Sequence, residues 1–294
     1  MTSGIILLDK PAGLSSNAAL QKTRRMLRAD KAGHVGSLDP LATGMLPICI
    51  GEATKIAGDI LAGRKLYQFT VALGARTATG DTEGAVVETL LVPAFDASRL
   101  DLVLRQFQGQ QTQIPPMYSA LKRDGQPLYK LARAGIEVDR PARDIEIFAL
   151  TMRSHSPSQL ELEVLCSKGT YVRTLAEDIA KALGTCGHVQ LLRRVYVEPF
   201  GSAQMETLES IAQAVEAGHP PALLAADAPL QHMPAVALDT KATERILHGQ
   251  PVSTDSAIAA GRVRLYDATG VFIGIGESDG AGSVRPKRLF NGAR

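Results

Sequence analysis

Cysteine is scarce. The 294-residue chain holds three, Cys49, Cys166 and Cys186. An odd number with no C-x-x-C pair argues against a disulfide framework and against a zinc site, and it fits a reducing compartment. Long apolar runs are missing too: stretches such as Ile5–Leu8 and Leu46–Ile50 fall far short of the ~18 residues a membrane span needs. Met1-Thr2-Ser3 provides no basic lead into an apolar segment, so no secretory signal is expected. A surplus of one charge is lacking as well. Thirty-two basic residues face 30 acidic ones, a balance that does not by itself announce a nucleic-acid binder. The common catalytic signatures are absent. There is no G-x-x-x-x-G-K-[ST], no H-x-x-x-H and no G-x-S-x-G, and Gly274-x-Gly276 lacks the third glycine of a dinucleotide loop. Nucleotide hydrolysis, nicotinamide chemistry and zinc hydrolysis lose weight together. What remains is an ordinary hydrophobic fraction of 45% and enough chain for a real core in one or two domains.

Charge is balanced in total but not in place. Residues 1–34 carry six bases against two acids, and residues 115–143 six against three. The last ten residues hold Arg285, Lys287, Arg288 and Arg294 with no acid. Any one cluster reads as a solvated face, whereas three together suggest a phosphate-binding surface.

The hydrophobic pattern mixes strands and helices. Ile5–Asp9 reads as a short buried strand stopped by Pro11 and Gly13. Ser15 or Ser16 can cap a helix to about Arg28, with Leu20, Met26 and Leu27 on one face. A loop at 30–44, a strand at Leu46–Ile50 and a helix over Glu52–Leu61 closed by Gly63 follow. Leu66–Leu73 alternates, placing Tyr67, Phe69, Val71 and Leu73 on one face, with Ala85–Leu90 as the expected partner strand. Ser98-x-x-Asp101 resembles a helix cap. Gly109–Pro127 reads as a long irregular loop, of a kind that is often functional. Ile145–Met152 and Leu160–Cys166 suggest an antiparallel pair, and Leu175, Ile179 and Leu183 a helix ended by Gly184. A Pro-punctuated linker spans 218–234. Arg262–Tyr266, Val271–Ile275 and Val284–Leu289 then suggest a small β-barrel of roughly 60 residues.

The segment with least reason to exist as structure alone is Gly33-His34-Val35-Gly36-Ser37-Leu38-Asp39-Pro40-Leu41-Ala42-Thr43-Gly44. Three glycines and a proline make a tight loop that a ligand can approach closely. Asp39 stands in apolar company. A carboxylate there is paired with a cation or poised for chemistry, though an Asp-Pro turn alone would account for it.

Five segments in order resemble the TruB family of bacterial tRNA pseudouridine-55 synthases. They are Leu8-Asp9-Lys10-Pro11-x-Gly13-x-Ser15-Ser16, the Gly33–Gly44 loop, Lys65-Leu66-Tyr67, Ile114-Pro115-Pro116-Met117-Tyr118-Ser119-Ala120-Leu121-Lys122, and Cys166-Ser167-Lys168-Gly169-Thr170-Tyr171-Val172-Arg173. The fit runs from Gly4 to about Pro199 and is looser beyond, where it resembles a PUA-like RNA-binding domain. Departures are small: Val35 stands where Thr is also common, and Ser37 where Ala is.

The resemblance implies an α+β catalytic domain with a central, mostly antiparallel sheet at 1–230. It also implies an RNA-clamping insertion at about 115–143 and a PUA-like β-barrel at 235–294. The implied activity turns one uridine of the tRNA T arm into pseudouridine, with the base flipped out and no cofactor or metal. Asp39 is the implied catalytic carboxylate, Arg173 its cation, and Tyr67 the aromatic packed on the base. His34 would fill the vacated loop position, and Tyr171 and Leu192 would line the base pocket. Lys10 and Pro11 belong to the matched substrate-side motif, and Lys122, Arg123 and Lys130 would lie near phosphates. Without the family, Arg173 reads as an exposed helix-start residue, and Tyr67, Tyr171 and Leu192 as plain core. The chain lacks the long extensions expected of guide-RNA-dependent relatives. A monomer acting in the cytoplasm with no protein partner is therefore expected. The competing expectation is a non-catalytic RNA-binding or tRNA-folding protein on the same scaffold.

Overall fold

The computed structural model describes residues 3–254 and 258–290. Strand β1 (Gly4–Lys10) is buried on both faces, because its alternation feeds two cores: Ile6 and Leu8 face one, Ile5 and Leu7 the other. Ser15 caps α1 (Ser16–Met26), its hydroxyl accepting the Ala18 amide at 3.1 Å. The helix stops short of Arg28, which takes a left-handed φ of 49°. β2 (Ala32–His34) enters the glycine loop, and β3 (Thr43–Ile50) leaves it. The strand starts three residues before the expected Leu46.

The single helix expected over Glu52–Leu61 is a 3₁₀ turn, Gly51–Ile56, running into α2 (Ala57–Ala62). Gly63 does not close it by a left-handed φ, since its φ is −62°. Glycine is required there by space: a Cβ would stand 2.4 Å from the Glu198 carbonyl oxygen. β4 (Lys65–Leu73) alternates as expected, but the strand near Ala85–Leu90 is not its partner. β5 (Ala75–Thr77) and β6 (Val86–Thr89) form a separate two-stranded sheet. The cap of α3 (Ala97–Gln106) is Asp96, which accepts the Arg99 amide at 2.8 Å, rather than Ser98.

The irregular loop expected at 109–127 contains β7 (Gly109–Gln113) and a hairpin of β8 (Lys122–Arg123) and β9 (Gln126–Pro127). β7 has the polar sequence Gly-Gln-Gln-Thr-Gln because it is an edge strand, paired on one side only. Alternating apolar residues were therefore never needed there. α4 (Leu128–Arg133) follows, and then the expected antiparallel pair, β10 (Arg143–Ser156) and β11 (Gln159–Cys166). α5 (Val172–Ala182) ends before Gly184 at φ +88°. β12 (Gly187–Val197) and α6 (Leu208–Glu216) come next.

The main sheet runs β1-β3-β12-β4-β11-β10-β7, with β2 beside β3. Every pairing is antiparallel except β3 with β12. The proline-punctuated linker is tied down: Ile5 and Leu224 exchange backbone hydrogen bonds at 2.9 and 2.8 Å, covering the outer edge of β1. Beyond it lie β13 (Ala235–Ala237), α7 (Thr240–Leu247), β14 (Val252–Ser253), β15 (Gly261–Tyr266), β16 (Phe272–Ser278) and β17 (Ser283–Leu289). They curl into a half-barrel in the order β13-β15-β16-β17-β14. The half-barrel has its own core around Val263, Leu265 and Ile273. Ile275 and Phe290 also join the core of Ile5, Leu7 and Met45, so the two sheets share apolar contact. No described helix is long and apolar enough to cross a membrane.

Candidate active site

The Gly33–Gly44 loop is shaped by contacts that leave little freedom. β2 pairs with the far half of β3, His34 opposite Ile48, so residues 35–42 bulge out between paired strands. Gly44 has φ +100°, and a Cβ there would lie 2.1 Å from the Arg194 carbonyl oxygen; no other residue fits. The buried Ser16 hydroxyl donates to the Leu38 carbonyl at 3.0 Å and accepts the Leu38 amide at 2.7 Å. It clamps the residue before Asp39 from both sides. Lys10 is buried, and its Nζ donates to the carbonyls of Pro11 (2.8 Å), Leu14 (2.7 Å) and Pro40 (3.3 Å). Burial holds its pKa down to about 8, with the charge of Asp39 pulling the other way. Pro11 thus contributes its carbonyl to the clamp on the loop.

Arg173 lies one residue into α5 and points inward, its side chain only 5% exposed. It is not the exposed helix-start arginine that its position alone suggests. Its Nε meets Asp39 Oδ2 at 2.9 Å and its Nη2 donates to Oδ1 at 3.2 Å, a bidentate fork of the kind guanidinium geometry favours. The remaining donors reach the carbonyls of Thr79 (2.6 Å) and Tyr118 (2.7 Å). A second carboxylate, Asp81, lies 3.7 Å from Nη1 and is itself buried. It accepts from the Thr79 hydroxyl at 2.5 Å and the Glu83 amide at 3.0 Å. One cation therefore serves two carboxylates, one inside and one at the mouth, where the Asp39 side chain remains 36% exposed. Burial pushes the Asp39 carboxyl above the usual carboxylate range; Arg173 pulls it back and Asp81 adds to the rise.

Tyr67 is buried on β4, opposite Val164 of β11 and Arg194 of β12. Burial raises its hydroxyl pKa, with Arg194 opposing. His34 is half-buried, with Nδ1 lacking a hydrogen-bond partner. Burial and the Arg194 charge hold its pKa down, which favours the neutral ring. Tyr171 caps α5, and its backbone is locked by the Gln113 amide: Tyr171 N donates to Oε1 at 2.7 Å and Gln113 Nε2 to Tyr171 O at 3.0 Å. Asp39 and Arg173 both act on its hydroxyl, whose pKa burial raises. Leu192 packs in the core with Phe69 across from it.

Asp39, Arg173, Tyr67, Lys10, Pro11 and Tyr171 thus converge on one place, with His34 connected to them only through the Arg194 charge and Leu192 only through the core. Lys122, Arg123 and Lys130 do not. They sit on the exposed β8–β9 hairpin and on α4, and Arg123 donates to the Asp139 carbonyl. Their segment nevertheless reaches the site, since the Tyr118 carbonyl is held by Arg173. Asp81, Thr79, Gln113 and Arg194 were not singled out from the sequence. Asp81 lies in a polar Gly-Asp-Thr-Glu-Gly stretch that reads as a turn, and Arg194 in a strand whose two bulges break its alternation. Among the described residues no group of three or more His, Cys, Asp or Glu is placed to hold a metal ion.

Residues 24–172 match the family described as TruB family pseudouridylate synthase, N-terminal domain. The chain belongs to the TruB family. The remainder agrees: residues 173–226 match the tRNA pseudouridylate synthase B C-terminal domain, and 234–290 the pseudouridine synthase II TruB C-terminal family. Relatives in the TruB family include the tRNA pseudouridine synthase B of Stutzerimonas stutzeri, 50% identical over 98% of this chain and 95% of that one. The same enzyme of Hydrogenovibrio crunogenus is 48% identical over 98% and 94%. The fold also matches a chain in an H/ACA RNP bound to a substrate RNA containing 2′-deoxyuridine, with TM-score 0.73 and 20% identity over 98% of this chain and 84% of that one. An archaeal box H/ACA Nop10–Cbf5 complex matches at 0.71 and 20%, over 98% and 86%.

Proposed function

We propose that the protein isomerises uridine 55 in the T loop of tRNA to pseudouridine, with Asp39 as the catalytic carboxylate. The observation that carries this reading is the bidentate Arg173–Asp39 pair, buried on the arginine side and open on the carboxylate side. The reaction breaks the N1–C1′ bond, turns the uracil and joins C5 to C1′. Nothing is oxidised and no group leaves for good, so the chemistry calls for no cofactor. It calls for a carboxylate beside the ribose, either to attack C1′ or to take the 2′ proton. Both roles need Asp39 ionised, and Arg173 and Lys10 favour that form while burial opposes it.

The base must leave the stack to be reached, at a cost of a few kcal/mol. Tyr67 supplies the replacement contact, and its hydroxyl assists loss of the C5 proton. His34, on the same loop as Asp39, fills the vacated position; Tyr171 and Leu192 line the base pocket. The 115–143 insertion grips phosphates through Lys122, Arg123 and Lys130, while residues 1–230 act as the catalytic domain and 235–294 as an RNA-binding one. The identity of about 50% with tRNA pseudouridine synthases B along nearly the whole chain supports the tRNA substrate. A cytoplasmic monomer is the corresponding state. The test is incubation with unmodified tRNA transcript and mapping by carbodiimide treatment and primer extension. A stop at position 55 with the wild type and none with Asp39→Asn is expected. A stop at another uridine would change the substrate, and no stop at all would favour an RNA-folding protein.

A further inference from the structure

Arg194 heads the fully buried side chains of the protein, 1% exposed. Among the described residues no carboxylate pairs with it. Its donors go to main-chain oxygens: Nε to Met45 (2.7 Å), Nη2 to Gly36 (2.8 Å) and, more weakly, to Val35 (3.5 Å). A buried cation without a counter-charge is costly, and an apolar side chain of similar size would hold the fold at lower cost. Its neighbours suggest what the cation is for. Arg194 stands in the middle of the sheet, beside Gly44 of β3 on one side and directly opposite Tyr67 of β4 on the other. Directly opposed residues of an antiparallel pair face each other at side-chain range, and the Arg194 charge opposes the rise that burial causes in the Tyr67 hydroxyl pKa. The turn it holds, Val35–Gly36, is three residues from Asp39. Gly36 keeps room for it, since a Cβ there would come within 3.1 Å of Nη1.

A guanidinium has donors and no acceptor. Toward Tyr67 it can only donate, so a hydrogen bond between them makes the phenol oxygen the acceptor and turns the phenol proton away from the guanidinium. We propose that Arg194 is a positioning residue for the isomerisation that acts through Tyr67, one guanidinium holding the turn before Asp39 and the Tyr67 oxygen at a fixed separation. The inference rests on the roles given above to Asp39 and Tyr67. Once C5 has bonded to C1′ it still carries its hydrogen. Loss of that proton returns the C5–H electron pair to the C5=C6 double bond, and N1, freed from ribose, takes a proton from water. The phenol must first give its own proton to water; a fixed cation beside the oxygen stabilises the phenolate so formed, which then takes the C5 proton and is a phenol again. The charged and titratable groups facing Tyr67 are Arg194 from β12, Cys166 from β11 and Asp39 from the loop. Those acted on by Arg194 besides Tyr67 are His34, Lys10 and Lys65.

The test is to compare Arg194→Lys and Arg194→Gln with the wild type, each also in a Tyr67→Phe background. Two readouts serve: the single-turnover rate at saturating enzyme, and the tyrosinate absorbance of Tyr67 taken as the difference from its Phe counterpart. Lysine keeps the charge but cannot bridge both anchors. Each substitution should slow turnover on the order of 10²-fold, as for loss of one preorganised donor, with tRNA binding kept. Tyr67 should ionise at higher pH in Arg194→Gln. In the Phe background the same substitutions should add little. Equal losses in both backgrounds, or an unmoved Tyr67 titration, would overturn the proposal. Should the Arg194 variants fail to fold, Gly36→Ala crowds the guanidinium instead; because Gly36 has φ +70° and alanine also strains the loop, that variant is judged by the Tyr67 titration alone. A wild type that makes no pseudouridine sinks the activity itself. An active wild type with unaffected Arg194 variants sinks this inference alone.

Discussion

The Asp39 cleft and the C-terminal half-barrel both carry arginines, and they use them in opposite ways. In the cleft, Arg173 and Arg194 are buried and donate to main-chain carbonyls as well as, for Arg173, to carboxylates. On the half-barrel, Arg285 and Lys287 are 71% and 51% exposed and share one acid, Glu277, at 2.7 and 3.1 Å. Arg288 donates to the Lys55 carbonyl, and Arg262 pairs with Asp59 of α2. The basic run at the C-terminus, which in the sequence resembles a free phosphate-binding patch, is partly committed to the protein itself; Arg294 lies outside the described residues. A buried guanidinium is fixed in place by geometry, whereas an exposed one contributes little beyond its charge. Lys122 and Lys130, by contrast, stand on exposed elements of the 115–143 segment.

The largest effect should come from Asp39→Asn. The substitution keeps shape and turn-forming ability and removes the charge, so pseudouridine should fall below detection while tRNA still binds. The fold should not suffer. The folded carboxyl has a raised pKa, so the native state holds that proton more tightly than the unfolded chain, and ionisation weakens the fold as pH rises from 3.8 through the folded value. Asn removes that cost at neutral pH, and the melting temperature should equal or exceed wild type. A clearly lower one would show Asp39 to be structural. Arg173→Met should lose turnover too, but with lower stability. It strands Asp81 inside and Asp39 at the mouth, costing up to about 3 kcal/mol once the exposure of Asp39 is allowed for. The rate losses of the two changes should be far from additive, since both act on one carboxylate.

Acidification should reproduce the Asp39 defect reversibly. Single-turnover rate should fall as pH drops through a value above 3.8, and an acid limb at or below 3.8 would mean that the cleft does not desolvate the carboxylate. Next in size, Tyr67→Phe should bind tRNA like wild type yet turn over poorly, while Tyr67→Leu should lose binding as well, since base–aromatic stacking is worth ~1–3 kcal/mol. Equal turnover for Phe and wild type would leave stacking as the sole role. The smallest effects separate the two regions most directly. Lys122→Ala and Lys130→Ala should each flatten the plot of log K against log salt by about 0.7–0.9 if each meets a phosphate. Arg285→Ala and Lys287→Ala should change it less, because each also gives up Glu277. The reverse order would return the phosphate contacts to the half-barrel.

What could be read from the sequence follows from how local its causes are. The Gly33–Gly44 loop declares itself because glycine and proline report backbone geometry residue by residue. The alternation of Leu66–Leu73 reports a strand, and that of β1 is hidden only because both its faces are buried. β12 went unread although it lies at the centre of the sheet, since two bulges and a buried arginine interrupt its period. β7 went unread because an edge strand needs no apolar face.

By itself, the sequence determined the chemistry available: an Asp in a glycine loop, an aromatic two residues into a strand, an arginine at a helix start, and the family that combines them. Only the tertiary structure decided which charges meet. Arg173 lies 134 residues from Asp39 in the chain, and their bond exists because α5 and the β2–β3 loop pack at the same end of one sheet. Asp81, Ser16 and Arg194 enter for the same reason. A side chain's partners depend on contacts between distant elements, and no period or motif along the chain encodes those contacts.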